Sequence, residues 1–412
     1  MPRLDWAAAV DRAQAIVAGC ADPKPEELRS HGVELVMGEG RFVAPHVVAV
    51  GDRLLEGTSI VVATGAKLPR LAVEGIELAD THVEMLSLRE LPRRLVVIGG
   101  GVIGIEFAFL FARAGVEVAV IELLDHLLGR VDNDVRQAVE QAASAAGIEL
   151  HLSTELRRIA RDAGGLRIEA SSPAGPLRLQ ADRVLLAAGM VPAVDGLGLE
   201  TAGIVYDRHG IPTDQTLRTN VAHIFAAGDV RAGAYQLSPV ATRQGTIAAG
   251  NALQDAQQVF EDRVVPYLVG LTPPVAGVGL TEEQARAQGI DVVVHRQDYK
   301  DVCPVGNVVG EPEGFVKVLA EAGGGRILGA HAVGTGSPEL IQQVAFAMLG
   351  NLGLAQAASA LFVFPGLSQA LQHALAPLPI HDPAYNPNVH RVRPGGAGRA
   401  AGESSTAPGG TQ

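Results

Sequence analysis

Three glycines and one carboxylate in the middle of the chain have the types and spacing to bind a dinucleotide. In VVIGGGVIGIEFA, Gly99, Gly101 and Gly104 form a GxGxxG, and Glu122 follows 18 positions past Gly104. Gly99 permits a tight turn, Gly101 lets the backbone approach a pyrophosphate, and Gly104 lets a helix pack closely on a strand. A helix opening at that point aims its free N–H groups at the anion. A carboxylate at 122 accepts hydrogen bonds from the adenosine ribose and repels a 2′-phosphate, which favours NAD(H) over NADP(H). His126 and Arg130 stand close behind it and are the nearby residues able to serve such a phosphate instead. The plainer alternatives are a glycine turn of any doubly wound sheet and an exposed acid at a strand end.

That chemistry needs a βαβ frame, and the surrounding text supplies one: a strand over 95–98, the turn at 99–101, a helix over 102–114, Gly115, and a strand over 117–122. A helix over 134–146 ending at Gly147, a strand over 148–152, three short strand-like pieces reaching Leu179 and a buried strand over 183–187 follow. Upstream, the pattern predicts a helix over 6–17, strands at 33–37 and 47–50, and a buried strand in SIVVAT (59–64) that stops at Gly65. Downstream, a short strand over 223–226 runs into Gly228 and Asp229, and a helix covers about 239–255. From 264 to 379, strands at 292–295, 315–319 and 327–333 alternate with helices at 282–288 and 338–349, as in a separate α+β unit. Residues 340–381 hold no Asp, Glu, Lys or Arg in 42 positions, which fits either a buried helical core or a subunit interface; Phe346 and Leu371 are the interface candidates. The Gly-, Ser-, Ala- and Pro-rich tail, taken from 381, is expected to be disordered.

Composition narrows the class. A net charge of -12 argues against nucleic acid or an anionic membrane as partner, and 47% hydrophobic with 19% charged residues allows two or three sizeable cores. Two cysteines, Cys20 and Cys303, leave no disulfide framework and no zinc set of CxxC type. A reducing, cytoplasmic setting is expected. The most membrane-like stretch, 95–105, is interrupted by three glycines and is too short to span.

Several motifs in one order resemble the FAD-dependent pyridine nucleotide-disulfide oxidoreductases, among them dihydrolipoamide dehydrogenase and mercuric reductase. They are ATG (Ala63, Thr64, Gly65), LPRRLVVIGGGVIGIEFA, AAG (Ala187, Ala188, Gly189), AAGD (Ala226 to Asp229), VGLTEEQA and ILGAHAVGTGSPELIQ. The resemblance implies a Rossmann-like α/β fold with two dinucleotide-binding domains and a C-terminal α+β dimerisation domain. In this sequence these would be an FAD-domain remnant (1–91), an NAD domain (92–211), a return segment of the FAD domain (212–263) and a dimerisation domain (264–380). It also implies that Ala63, Thr64 and Gly65 lie by the FAD phosphates, that Asp229 bonds the ribityl chain, that Leu237 and Ser238 flank the flavin, and that Gly189 lines the NAD site. Glu106 matches the family glutamate that pairs with a lysine beside the flavin; by itself it reads as a helix-surface acid.

The departures qualify that implication. Family members open with a first GxGxxG and a CxxxxC redox disulfide, and this chain starts downstream of both. The family's HPTxxE, source of a His-Glu acid-base pair across the dimer, corresponds to Phe364, Pro365, Gly366, Leu367, Ser368 and Gln369, and phenylalanine transfers no proton. His373 and Cys303 read as structural residues. The expectation is an FAD- and NAD(H)-dependent oxidoreductase acting as a homodimer on an unidentified electron acceptor, with hydride chemistry belonging to the cofactors. FAD is expected to be held poorly and thiol exchange to be missing. The rivals are a truncated, non-catalytic NAD(H)-binding or dimerisation protein, and a full-length flavoenzyme whose start is misassigned.

Overall fold

The computed structural model describes residues 4–302, 304–310, 312–323, 325–375 and 389–392. Cys303 and all of the tail except 389–392 therefore lie outside the described residues. The chain divides into two compact units, Met1–Ala276 and Gly277–Gln412, with the division inside the strand Val275–Gly279.

The first unit is organised by a parallel sheet in the order Arg183–Leu186, Arg94–Ile98, Glu117–Ile121, Glu149–His151. Such strands are covered on both faces and so read as continuous apolar runs; Leu95, Val96, Val97 and Ile98 are all buried. Val96, Ile98, Ala119 and Ile121 face a three-stranded antiparallel sheet (Glu155–Asp162, Gly165–Ser172, Gly175–Ala181) through Ile159 and Ile168. The helix Val102–Arg113 packs on the strands it connects, and the helix Asn133–Ala145 is closed at its start by the Asp132 side chain, which accepts from the Asp134 amide at 3.1 Å.

A smaller layer holds the remaining motifs. The strand Ile60–Val62 runs parallel to Ile224–Ala226, the helix Ser238–Gln254 packs on both, and a meander of Gly40–Ala44, Val47–Val50 and Arg53–Glu56 adds three antiparallel strands. The N-terminal helix, Trp6–Ala21, is anchored by its first residue: the Trp6 indole donates to the Leu88 carbonyl at 2.6 Å and lies 5.2 Å from the Phe111 ring.

Two expectations for this unit fail. No strand forms over 33–37; a helix, Lys24–Ser30, precedes it, and the extended piece is bracketed by Gly32 (φ 78°) and Gly38 (φ 146°), with Val33 and Met37 exposed. Without a neighbouring strand, β-branched residues alone do not make one. The SIVVAT strand is shorter and less buried than its composition suggests: Val62 is buried, while Val61, Ala63 and Thr64 are exposed. Only one strand flanks it among the described residues.

The second unit is built on a sheet running Val275–Gly279, Ile327–Val333, Phe315–Glu321, Val292–Asp298, Val389–Val392, with the helices Glu282–Ala287, Ser337–Leu349, Leu354–Ala358 and Ser368–Leu375. The charge-free stretch divides by face. Leu340, Ile341, Val344, Ala345 and Met348 are buried, whereas Phe346 is 65% and Leu349 55% exposed, and Leu361, Val363 and Phe364 are exposed beyond them. Leu371 is corrected as an interface candidate: at 1% exposure it belongs to the unit's own core, because helix Ser368–Leu375 turns that face onto the strands Val292–Asp298 and Phe315–Glu321.

Candidate dinucleotide and flavin site

The three GxGxxG positions have three different surroundings. A Cβ on Gly104 would stand 1.9 Å from the Gly99 carbonyl oxygen, and one on Gly99, at φ 109°, would stand 2.4 Å from the Ala187 carbonyl oxygen. A Cβ on Gly101 would meet nothing within 4 Å. Gly101 is also the N-cap of Val102–Arg113, and no side chain caps that helix. Two glycines therefore let backbone segments touch, and the third opens a helix N-terminus onto empty space, the cradle a pyrophosphate requires.

Glu122 stands beside this cradle. Its carboxylate is half-buried and accepts from the Gly100 amide at 2.5 Å and the Leu124 amide at 2.8 Å. His126 is paired with Asp125 at 2.5 Å, which holds the Asp125 carboxyl below its ordinary range, and Arg130 is exposed. Gly189 (φ 88°, exposed) follows the strand Arg183–Leu186, next to the glycine turn in the sheet, with the Ala187 amide donating to the Ile98 carbonyl at 2.8 Å. Gly99, Gly101, Gly104, Glu122 and Gly189 thus gather at the C-terminal edge of one parallel sheet, where α/β folds bind ligands.

The other motif residues gather at the C-terminal ends of the second parallel pair. Ala63, Thr64 and Gly65 (φ 72°) follow Ile60–Val62, and Gly228 and Asp229 follow Ile224–Ala226. The Thr64 hydroxyl donates to the Ala193 carbonyl at 2.8 Å. Asp229 is half-buried, its carboxylate has no hydrogen-bond or ion-pair partner among the described residues, and burial raises its pKa. A desolvated carboxylate without donors fits a polyol such as a ribityl chain. Leu237 is the N-cap of Ser238–Gln254 and Ser238 its first residue.

Sequence reasoning missed Gln244. This buried side chain accepts from the Gly228 amide at 2.8 Å and so fixes the turn that presents Asp229. A polar residue on the inner face of a helix, 16 positions past Gly228, was the only signal. A cavity of about 490 Å³ lined by Met37, Gly38, Gly40, Arg41, Gly51 and Gly196 was also not anticipated. Glu106 Oε1 accepts from the Gly270 amide at 2.6 Å, and no lysine pairs with it among the described residues. Phe364 is exposed, and His373 is half-buried with its pKa lowered by that burial.

The family model described as pyridine nucleotide-disulphide oxidoreductase matches residues 22–245, more than half of the chain, and the dimerisation-domain model of the same family matches residues 265–375. The chain belongs to the pyridine nucleotide-disulphide oxidoreductase family. It is a flavin-dependent oxidoreductase by that membership, with the family's Rossmann-type and C-terminal folds. Dihydrolipoyl dehydrogenase of Mycobacterium tuberculosis is 32% identical over 379 residues, 90% of this chain and 81% of the relative, and the Bacillus subtilis enzyme gives the same figures. Among solved structures, the HOCl-induced flavoprotein disulfide reductase RclA of Escherichia coli superposes with a TM-score of 0.82 at 28% identity, covering 90% of this chain and 86% of that one. LpdA of Mycobacterium tuberculosis superposes with a TM-score of 0.81 at 26% identity, covering 90% and 83%. No described helix is long and apolar enough to cross a membrane.

Proposed function

We propose that this family member is an NADH-dependent flavin oxidoreductase that works as a homodimer and passes electrons to an acceptor other than a disulfide. The observation that carries the reading is the contrast among the glycines: a Cβ at Gly99 or Gly104 strikes backbone, while Gly101 faces open space at an uncapped helix N-terminus. Gly101 and the first amides of Val102–Arg113 would hold the pyrophosphate, Glu122 the adenosine ribose, and Gly189 the nicotinamide end. Asp229 would orient FAD through its ribityl hydroxyls, with Thr64 and Gly65 towards its phosphates and Leu237 and Ser238 along the ring. When bound, the two cofactors supply hydride transfer, and the protein's part is orientation. Glu106, anchored on the Gly270 amide, would hold its helix in place as a positioning group.

Phenylalanine, exposed, stands at 364, where the resemblance places the acid-base histidine. Phenylalanine transfers no proton, so this position offers no acid-base assistance to a thiol relay. The dimer reading rests on the apolar face of Phe346 and Leu349 and on the dimerisation-domain match.

The test is a purified chain mixed with NADH and either a quinone or a disulfide such as lipoamide. Quinone reduction without lipoamide reduction supports the proposal, and lipoamide reduction refutes the acceptor class. A second reading, an NAD(H)-binding protein without a working flavin, is favoured by one feature: the strand Ile60–Val62 has a single strand neighbour among the described residues and leaves Val61 exposed, so the flavin layer is thin. A visible flavin spectrum near one FAD per chain decides against it.

A further inference from the structure

We propose that the Glu122 carboxylate latches the 99–101 turn into its pyrophosphate-receiving shape, in addition to meeting the adenosine ribose. The inference rests on the NAD(H) reading of this site and adds a second role for the residue. Gly100, the middle glycine, is gripped at both polar groups by the segment 122–128: its amide donates to Glu122 Oε2 at 2.5 Å, and its carbonyl accepts from the Leu128 amide at 3.0 Å. The grip is close, since a Cβ on Gly100 would stand 2.6 Å from Leu127 Cδ2.

The gripping segment is itself immobilised. The Glu122 amide donates to the His151 carbonyl at 2.9 Å, the Thr154 and Ser153 amides donate to the Glu122 and Leu124 carbonyls at 2.8 and 2.7 Å, and the Leu127 amide donates to Glu140 Oε1 at 3.1 Å. Leu127 and Leu128 are buried beneath it. Ribose side and pyrophosphate side are therefore one hydrogen-bonded body, joined at the Glu122–Gly100 contact. Each carboxylate oxygen accepts one amide and keeps lone-pair capacity for a ribose hydroxyl, so both roles can operate together. Bonds to an ionised acceptor are the stronger kind, and removing the acceptor leaves the buried Gly100 amide unsatisfied.

This differs from a carboxylate that only discriminates between nucleotides. A pure discriminator replaced by alanine loses its repulsion, and NADPH then binds more tightly. A latch replaced by alanine also loosens the turn, which weakens NADH and offsets what NADPH gains from the lost repulsion. The experiment is calorimetric titration of both nucleotides into wild-type, Glu122→Ala and Glu122→Gln chains, with amide hydrogen exchange measured on the ligand-free 99–104 segment. The expected result for Glu122→Ala is a loss of about tenfold or more for NADH, with faster exchange in that segment. Glu122→Gln keeps one acceptor oxygen in nearly the same shape and should fall between. Unchanged exchange over 99–104 in ligand-free Glu122→Ala overturns the latch. A wild-type chain that binds no NADH refutes the NAD(H) reading instead, and the ligand-free exchange comparison still decides the latch.

Discussion

Substituting alanine separately at Gly101 and Gly104 separates binding from folding, because two positions of one motif meet opposite surroundings. At Gly104 the new Cβ would lie 1.9 Å from the Gly99 carbonyl oxygen, far inside the ~3.5–4.0 Å of ordinary contact. The obstacle is backbone, so the helix must move off its strand. Overpacking of this kind costs about 1–3 kcal/mol, and a main-chain obstacle places Gly104→Ala near the upper end. At roughly 2–4 °C per kcal/mol for a unit of this size, the melting temperature should fall by ~6–12 °C. At Gly101 the backbone is ordinary extended chain (φ −73°, ψ −175°) with open space around the Cβ. Lower unfolded-state freedom gains about 0.4–1 kcal/mol, and alanine as N-cap loses a similar amount, a few tenths or more. The two offset, so stability should stay within about 0.5 kcal/mol of wild type, while the methyl group occupies the pyrophosphate's place and weakens NADH by about tenfold or more. Thermal melting followed by calorimetric NADH titration reads both quantities. The reasoning is refuted if Gly101→Ala melts as low as Gly104→Ala, or if it binds NADH like the wild-type chain.

Three further outcomes are expected. Asp229→Asn should raise the melting temperature of the ligand-free chain at neutral pH: burial raises the folded-state pKa of this carboxyl, so its stability contribution is lost as pH rises through that value. The gain should vanish near pH 3, about a unit below the free carboxyl's pKa, where both states are protonated, and FAD uptake should weaken in a fluorescence titration. Phe346→Arg should shift the chain to monomer in light scattering with its melting curve nearly unchanged, whereas Leu371→Ala should cost about 2–5 kcal/mol of stability by opening a core cavity. His295 is buried, and that desolvation pushes its pKa down although Nδ1 faces the Ala374 carbonyl at 3.0 Å; the second unit should therefore lose stability as pH falls below about 6.5, where the unfolded chain takes up the proton first. His295→Gln should flatten that acid limb in melts across the pH range, and an unchanged slope would count against the assignment.

The parts of this protein written in its sequence are those whose physics is local. The order of strand, glycine turn, helix and strand over 94–121 follows from continuous apolar runs bounded by residues that can turn, and the spacing of Gly99, Gly101 and Gly104 anticipated the close backbone contacts at the first and third and the open space at the second. Even the lack of charge over 340–381 was legible, though not its cause. Tertiary structure decided whatever depends on which surface a residue is pressed against. The 33–37 stretch has strand-forming residues and no strand, because a ladder needs a partner the local sequence cannot provide. One apolar stretch became both core and exposed face, with Leu371 inside and Phe346 outside, because a helix buries only the side its neighbours cover. Gln244 reached Gly228, Glu106 reached Gly270, and Glu122 reached Gly100 across 16, 164 and 22 positions of chain. Hydrogen bonds of that range are set by the packing of whole elements, and no periodicity or motif encodes them.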